Sequence, residues 1–400
     1  MHSVKEQKIY DYIISGAGCA GLSLLLRLFQ EPELQHVEIL IIDVEDKDSN
    51  DHTWCYWEDG YGFFDHLTHK TWDKLIFKTP DMEKVLEIEP YSYKMVRSID
   101  LYHYVKSMLH SRTNINWVHE PIQAIGNEGK LGFAVAGNTK YYGKYVFNSI
   151  IFPEVKLALE KSTCFKLLQH FKGWVIETKE PTFQPDQAHF MDFRVSQDAG
   201  TTFVYVLPIT DRKALVEYTF FNEDILQANE YDSLIKAYLI NYWKLTNYII
   251  TETELGVIPM TNFNFSSGKG KIINIGTAGG WTKPSSGFTF QFIQKNTAAM
   301  VAALRKGKSP RIKKTLWEKR FLIYDATLLN VLQRNKMEGR TIFSKLFEKL
   351  PPQTILRFLD DETTLKEEIQ ILRTMPTNIF LPAALQEIGS ALLRTFGLKR

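Results

Sequence analysis

Two kinds of periodicity divide this chain. Residues 9–14 and 37–42 are nearly unbroken apolar runs, and between them residues 22–29 are dense in leucine. Short apolar runs fit strands covered on both faces, and the leucine-rich segment fits the helix that connects them. The spacing predicts a strand, a tight turn from Gly16 to Gly21, a helix, and a second strand ending in Asp43, which together form a βαβ unit. Residues 100–109 read as a further helix and 118–147 as short strands with Gly and Asn turns. The pattern then changes: residues 174–178, 202–207 and 214–221 alternate with a period of two, as antiparallel strands with one covered face do. The buried-strand pattern returns at 272–275, followed by a glycine-rich stretch and a helical run to Leu304. From Trp317 onward apolar clusters recur at helical spacing. These switches predict an α/β fold, with a nucleotide-binding domain built from 1–110 and 250–310, an inserted antiparallel substrate domain at 111–249, and a helical C-terminal region at 311–400.

The glycines of the first turn have separate jobs. Gly16 makes the turn, Gly18 lets backbone approach a pyrophosphate, and Gly21 permits close packing of helix on strand, with the helix N-terminus facing the anion. Asp43 follows Gly21 by 22 residues, close to the spacing at which an acid accepts hydrogen bonds from an adenosine ribose. Gly276, Thr277, Gly279, Gly280 and Gly287 form a second strand-glycine-helix element, placed to hold the rest of an FAD. Arg97, just ahead of the helix at 100–109, either reaches the cofactor or pairs on the surface.

Composition narrows the class. A chain of 400 residues exceeds what one core usually supports. Its 48 basic and 46 acidic side chains leave a net charge of +2, so no overall field draws it to nucleic acid. Cys19, Cys55 and Cys164 lie too far apart for a metal-ligand pattern, and their odd number argues against a disulfide framework, so a cytoplasmic location without a metal is expected. No stretch reaches the roughly 20 apolar residues of a spanning helix. Any membrane contact is therefore peripheral, through the basic cluster from Arg305 to Lys314, through the closing Arg394, Lys399 and Arg400, or through the apolar helix face at 379–398.

One polar residue breaks an otherwise apolar strand. Glu217 lies in Leu215-Val216-Glu217-Tyr218-Thr219, where burial would raise its pKa and suit it to proton chemistry on an apolar molecule. Strand geometry puts it on one face with Leu215 and Thr219, and turns Val216 and Tyr218 the other way.

The segments Tyr10-Asp11-Tyr12-Ile13-Ile14, Asp51-His52-Thr53-Trp54-Cys55-Tyr56-Trp57, Met191-Asp192-Phe193-Arg194, Tyr205-Val206-Leu207-Pro208, the Glu217 strand, Gly256-Val257-Ile258-Pro259-Met260 and Gly276-Thr277-Ala278-Gly279-Gly280-Trp281-Thr282-Lys283-Pro284-Ser285 together resemble the bacterial flavoprotein type of lycopene cyclase. The resemblance spans nearly the whole chain. It implies a flavin monooxygenase-like fold and a redox-neutral enzyme that closes the ψ-ends of lycopene into β-ionone rings, giving γ-carotene and then β-carotene. It further implies FAD in its reduced form, NAD(P)H as electron donor, and association with lipid at the inner face of the cell membrane.

Glu217 then matches the first carboxylate of the family's paired-acid motif, as proton donor or as stabiliser of the cation. The second position is Tyr218, a departure that throws weight on Glu217 or on the flavin. Trp54, Trp57, Trp281 and Phe288 are candidates to stack along the polyene. Two alternatives stay open at this stage: a flavin monooxygenase or reductase acting on another isoprenoid, and a carotenoid carrier without catalysis.

Overall fold

The computed structural model describes residues 8–395; Phe396, Leu398, Lys399 and Arg400 lie outside the described residues. The βαβ unit forms as the pattern predicts. Strands Ile9–Ser15 and Ile39–Asp43 pair in parallel around helix Cys19–Gln30. Ile13, Ile14, Leu40, Ile41 and Ile42 lose all but about 1% of their accessible surface, which is why their sequence is continuously apolar rather than alternating.

The first sheet runs in the order Ile115–His119, Ile39–Asp43, Ile9–Ser15, Thr139–Asn148, Leu131–Ala136 and Ile122–Glu128, with Ile272–Asn274 also on Thr139–Asn148. A second, seven-stranded sheet runs Ile249–Met260, Leu167–Glu177, Lys213–Asn222, Thr201–Pro208, Gln187–Asp192, Lys74–Thr79 and Met82–Glu87. A three-stranded sheet of Thr53–Asp59, Tyr91–Arg97 and Thr68–Trp72 joins the two.

These sheets cut across the expected boundaries. Strands at 115–148, expected in the substrate unit, complete the nucleotide sheet, because the apolar end of Thr139–Asn148 pairs in parallel with Ile9–Ser15. Strands at 74–87 and 249–260, expected in the nucleotide unit, close the two ends of the substrate sheet instead. In the latter case Ile249–Met260 pairs along its full length with Leu167–Glu177.

The substrate sheet is covered on both faces. Val216, Tyr218 and Phe220 pack under helix Ala228–Trp243 through Tyr231, Ile235, Tyr238 and Leu239. On the other face, helix Gly339–Lys349 sets Phe347 at 4.6 Å from Phe77 and Phe343 at 5.7 Å from Phe193, ring centre to ring centre.

The C-terminal helices also grip the glycine-rich turn. Lys283, 2% exposed, pairs with Asp325 on helix Lys319–Gln333 at 2.9 Å and with Asp361 at 2.5 Å. Ser285 Oγ donates to the same Asp325 at 2.6 Å. Such a triad persists without water only because each charge has a partner.

Candidate active site

The nucleotide loop and Glu217 open into one cavity of about 630 Å³. Gly16 has φ +96°, and a Cβ on Gly21 would sit 2.2 Å from the Gly16 carbonyl oxygen, so a side chain at Gly21 would break the turn. Helix Cys19–Gln30 starts without a side-chain cap and without an acid in its first turn. Its free N–H groups point to the cavity that Gly18, Cys19 and Ala20 line, and the space beside Gly18 is open to 4 Å.

Gly276, Thr277, Gly287, Phe288 and Thr289 line the same cavity from the second glycine element. Gln169 Oε1 faces that turn, buried and without a partner. An uncapped helix end, an open glycine and an unpaired acceptor opposite the second turn fit a flavin dinucleotide.

Other predicted cofactor residues are placed differently. Asp43 accepts hydrogen bonds from Ala17 N–H at 2.6 Å and Glu45 N–H at 2.9 Å, so it fastens the loop, while Glu45 and Lys47 line the cavity. Arg97 forms a two-pronged pair with Asp100, both contacts at 2.8 Å, and does not line the cavity. Gly279 and Gly280 line a neighbouring cavity of about 980 Å³.

The catalytic candidate belongs to a row that crosses four strands. Tyr205 pairs with Glu217, Glu217 with Gly173, and Gly173 with Glu254 on strand Ile249–Met260. Tyr205, Glu217 and Glu254 all line the cavity. Val216 and Tyr218 face away under helix Ala228–Trp243, as the strand period requires. An acid at position 218 would likewise point away from the cavity.

Glu254 escaped the sequence reading. Its strand carries Glu252 and Glu254 among threonines and reads as a solvated edge; only the pairing across Gly173 would have linked it to Glu217. Glu217 and Glu254 keep accessible surface, but that surface faces the cavity rather than bulk solvent. Desolvation, followed by the nearby Glu254 charge, holds the Glu217 carboxyl well above the usual carboxylate range. Thr219 Oγ1 donates to Glu217 Oε1 at 2.8 Å and opposes that shift. Burial also raises Glu254, against hydrogen bonds from Thr53 and Glu217 and the nearby charge of His52. His52 is itself kept protonated to higher pH by Asp51, 3.2 Å away.

The four aromatic candidates divide. Trp54 and Phe288 line the cavity, and Trp54 lies over Phe290 at 6.0 Å. Trp57 is core, 2% exposed, and meets Phe288 edge-on at 5.0 Å, so it sets that ring from behind. Trp281 lines the neighbouring cavity. Tyr93, Phe171 and Tyr205, which the sequence did not single out, complete the aromatic wall.

Solved structures share this architecture. A flavoprotein/dehydrogenase from Cytophaga hutchinsonii superposes with a TM-score of 0.60 at 9% identity, covering 96% of this chain and 100% of the other. A geranylgeranyl bacteriochlorophyll reductase-like protein from Thermoplasma acidophilum gives 0.56 at 12% identity, with 96% of each chain covered. The halogenase PltM, solved in complex with FAD, gives 0.53 at 12% identity over 88% of this chain and 78% of its own. At such identities the likeness shows a flavoprotein fold. Among curated proteins none matches the chain in sequence. The family model described as lycopene cyclase protein matches residues 11–384, and with nearly the whole chain inside that match, this protein belongs to the lycopene cyclase family.

Proposed function

We propose that the chain is an FAD-dependent lycopene β-cyclase, acting on the ψ-ends of lycopene without net redox change. The observation that carries this reading is a carboxyl kept protonated by burial, in the same cavity as a dinucleotide-binding loop. Protonating an alkene demands an acid with a raised pKa and a pocket that excludes water. Glu217 places its proton on C2 of the terminal double bond. The cation at C1 is captured by the C5–C6 alkene, a C1–C6 bond forms, and loss of the C6 proton sets the ring double bond. Tyr93, Phe171, Tyr205 and Phe288 offer ring faces to the passing cation. Reduced FAD, bound at the glycine loop and kept reduced by NAD(P)H, supplies electron density beside that cation.

Room for the rest of a long polyene comes from the neighbouring cavity, which shares Pro259 with the first and is walled in part by Phe265, Trp281 and Leu316. Ala391 on helix Thr377–Thr395 also borders it. That helix leaves Leu381, Leu385, Ile388 and Leu392 between 42% and 60% exposed, a single stripe at helical spacing. Among the described residues no helix is long and apolar enough to cross a membrane, so the stripe supports a helix lying in the lipid interface at the cytoplasmic face.

The test is anaerobic incubation of the purified protein with lycopene in liposomes, FAD and excess NADPH. Formation of γ- and β-carotene without matching loss of NADPH is expected. Unchanged lycopene beside demonstrably reduced flavin would rule the reading out, and one NADPH consumed per product would point to a reductase or hydroxylase.

A further inference from the structure

We infer that Glu254 is the second acid-base group of this site: it takes the proton released from C6 and hands it back to Glu217. The inference rests on the cyclase reading above and completes its proton balance.

Geometry makes the case first. Glu217 and Glu254 stand two strands apart, with Gly173 between them in the same row. Neighbouring strands lie about 4.8 Å apart, so the two side chains meet only by leaning over the intervening residue. That residue is the one type with no side chain to prevent it. A Cβ on Gly173 would lie 3.0 Å from Glu254 Cγ and 3.2 Å from its Oε1. With both carboxyls ionised, Glu254 Oε1 is buried without a partner; one proton on Glu217, donated toward Glu254, supplies it.

Two carboxyls in such contact hold one proton between them, because a second negative charge in the same dry pocket is costly. Glu217 carries the proton and Glu254 the charge, which Thr53 and His52 stabilise. The other titratable groups facing the pair are Cys55, Tyr93 and Tyr205, all kept neutral by burial, and Glu252 on the Glu254 strand.

The cycle then balances. The Glu217 O–H bond breaks as the C2–H bond forms, the C1–C6 bond closes, and the C6–H bond breaks as Glu254 gains the proton. Glu217 is left ionised and Glu254 protonated. Transfer across their shared hydrogen bond restores the starting state with no proton drawn from solvent.

Two measurements on the FAD-loaded protein in lycopene liposomes decide the matter. In Glu254→Gln, kcat should fall by at least about 100-fold, with visible-spectrum flavin binding and KM within threefold of wild type. The acid limb of the pH profile should vanish, since it reports protonation of Glu254, and the alkaline limb should move down, since Glu217 loses a neighbouring charge. Glu254→Asp should restore the two-limbed profile. A folded, flavin-bound Glu254→Gln with the wild-type profile would overturn the assignment.

The second measurement needs no variant. Over many turnovers of wild type in D2O, C2 of the product ring should carry fewer than one deuterium per ring, because hydrogen from C6 is reused; a full deuterium per ring would overturn the closed circuit. Failure of wild type to cyclise lycopene at all would instead remove the cyclase reading.

Discussion

Gly173→Ala isolates the contact between the two carboxyls without deleting either. The added methyl would meet Leu215 Cδ1 at 2.9 Å and Glu254 Cγ at 3.0 Å, where carbon atoms rest comfortably at about 3.5–4.0 Å. Both neighbours must therefore retreat by roughly half an ångström or more. Overpacking of this kind costs about 1–3 kcal/mol. Part of that is offset by the roughly 0.4–1 kcal/mol gained when Gly→Ala reduces the freedom of the unfolded chain. With an unfolding entropy of about 2.1 cal/mol/K per residue, a chain of this length loses at most about 3 °C in apparent Tm. Turnover should suffer far more, because a displacement approaching 1 Å in a catalytic constellation can cost on the order of 100-fold. Flavin affinity should hold, since Gly173 is not among the residues that line the cavity. The assay pairs thermal denaturation and flavin titration with product chromatography. Turnover within twofold of wild type in a flavin-loaded Gly173→Ala would refute the claim that the spacing of Glu217 and Glu254 governs the chemistry.

Other expectations follow from separate parts of the molecule. Glu217→Gln keeps the shape of the row but carries no acidic proton, so cyclisation should drop by about 100-fold or more with flavin retained, as single-turnover product analysis would show. In wild type, activity should fall as pH rises through the elevated pKa of Glu217, because only the protonated form can donate; an activity that increases through that range would contradict its role. Gly21→Ala forces a methyl to 2.2 Å from the Gly16 carbonyl and should abolish flavin retention on gel filtration. Lys283→Met strands Asp325 and Asp361 in the interior and should cost about 3–5 kcal/mol, seen as a lower denaturant midpoint. Burial lowers His189 to about 4, below its unfolded value of about 6.5. Its contribution is thus complete above pH 6.5 and lost as pH falls toward 4, by up to about 3 kcal/mol, and His189→Gln should flatten the decline in Tm across that window.

What the sequence disclosed depends on how local each signal is. The βαβ unit was legible because continuous burial leaves a continuous apolar run, as at Ile13, Ile14 and Leu40. The face of Glu217 was legible too, because the strand period alone separates Leu215 and Thr219 from Val216 and Tyr218. Sheet membership was not: Lys74–Thr79 pairs in parallel with Gln187–Asp192, and no local pattern encodes a partner more than a hundred residues away. Arg97 sits beside a helix start, where a cofactor contact and a surface pair look alike, and the structure shows its pairing with Asp100. Glu254 was missed for the same reason as the sheet order. Alternating Thr and Glu in Ile249–Met260 describes a wet strand equally well, and its meaning arises only where Gly173 brings it to Glu217.

The buried lysine of the glycine-rich turn has a mechanical consequence. Lys283 is clasped by Asp325, whose helix also carries Asn330, and Asn330 Nδ2 donates to Glu387 Oε1 at 2.7 Å on helix Thr377–Thr395. The helix with the exposed leucine stripe is therefore geared, through two buried polar couplings, to the turn that ends at Phe288 in the cavity wall. Strain applied at the lipid-facing end of this train is delivered to the ring-closing chamber, so the protein's grip on a bilayer and the tightness of its reaction vessel are set by the same few side chains.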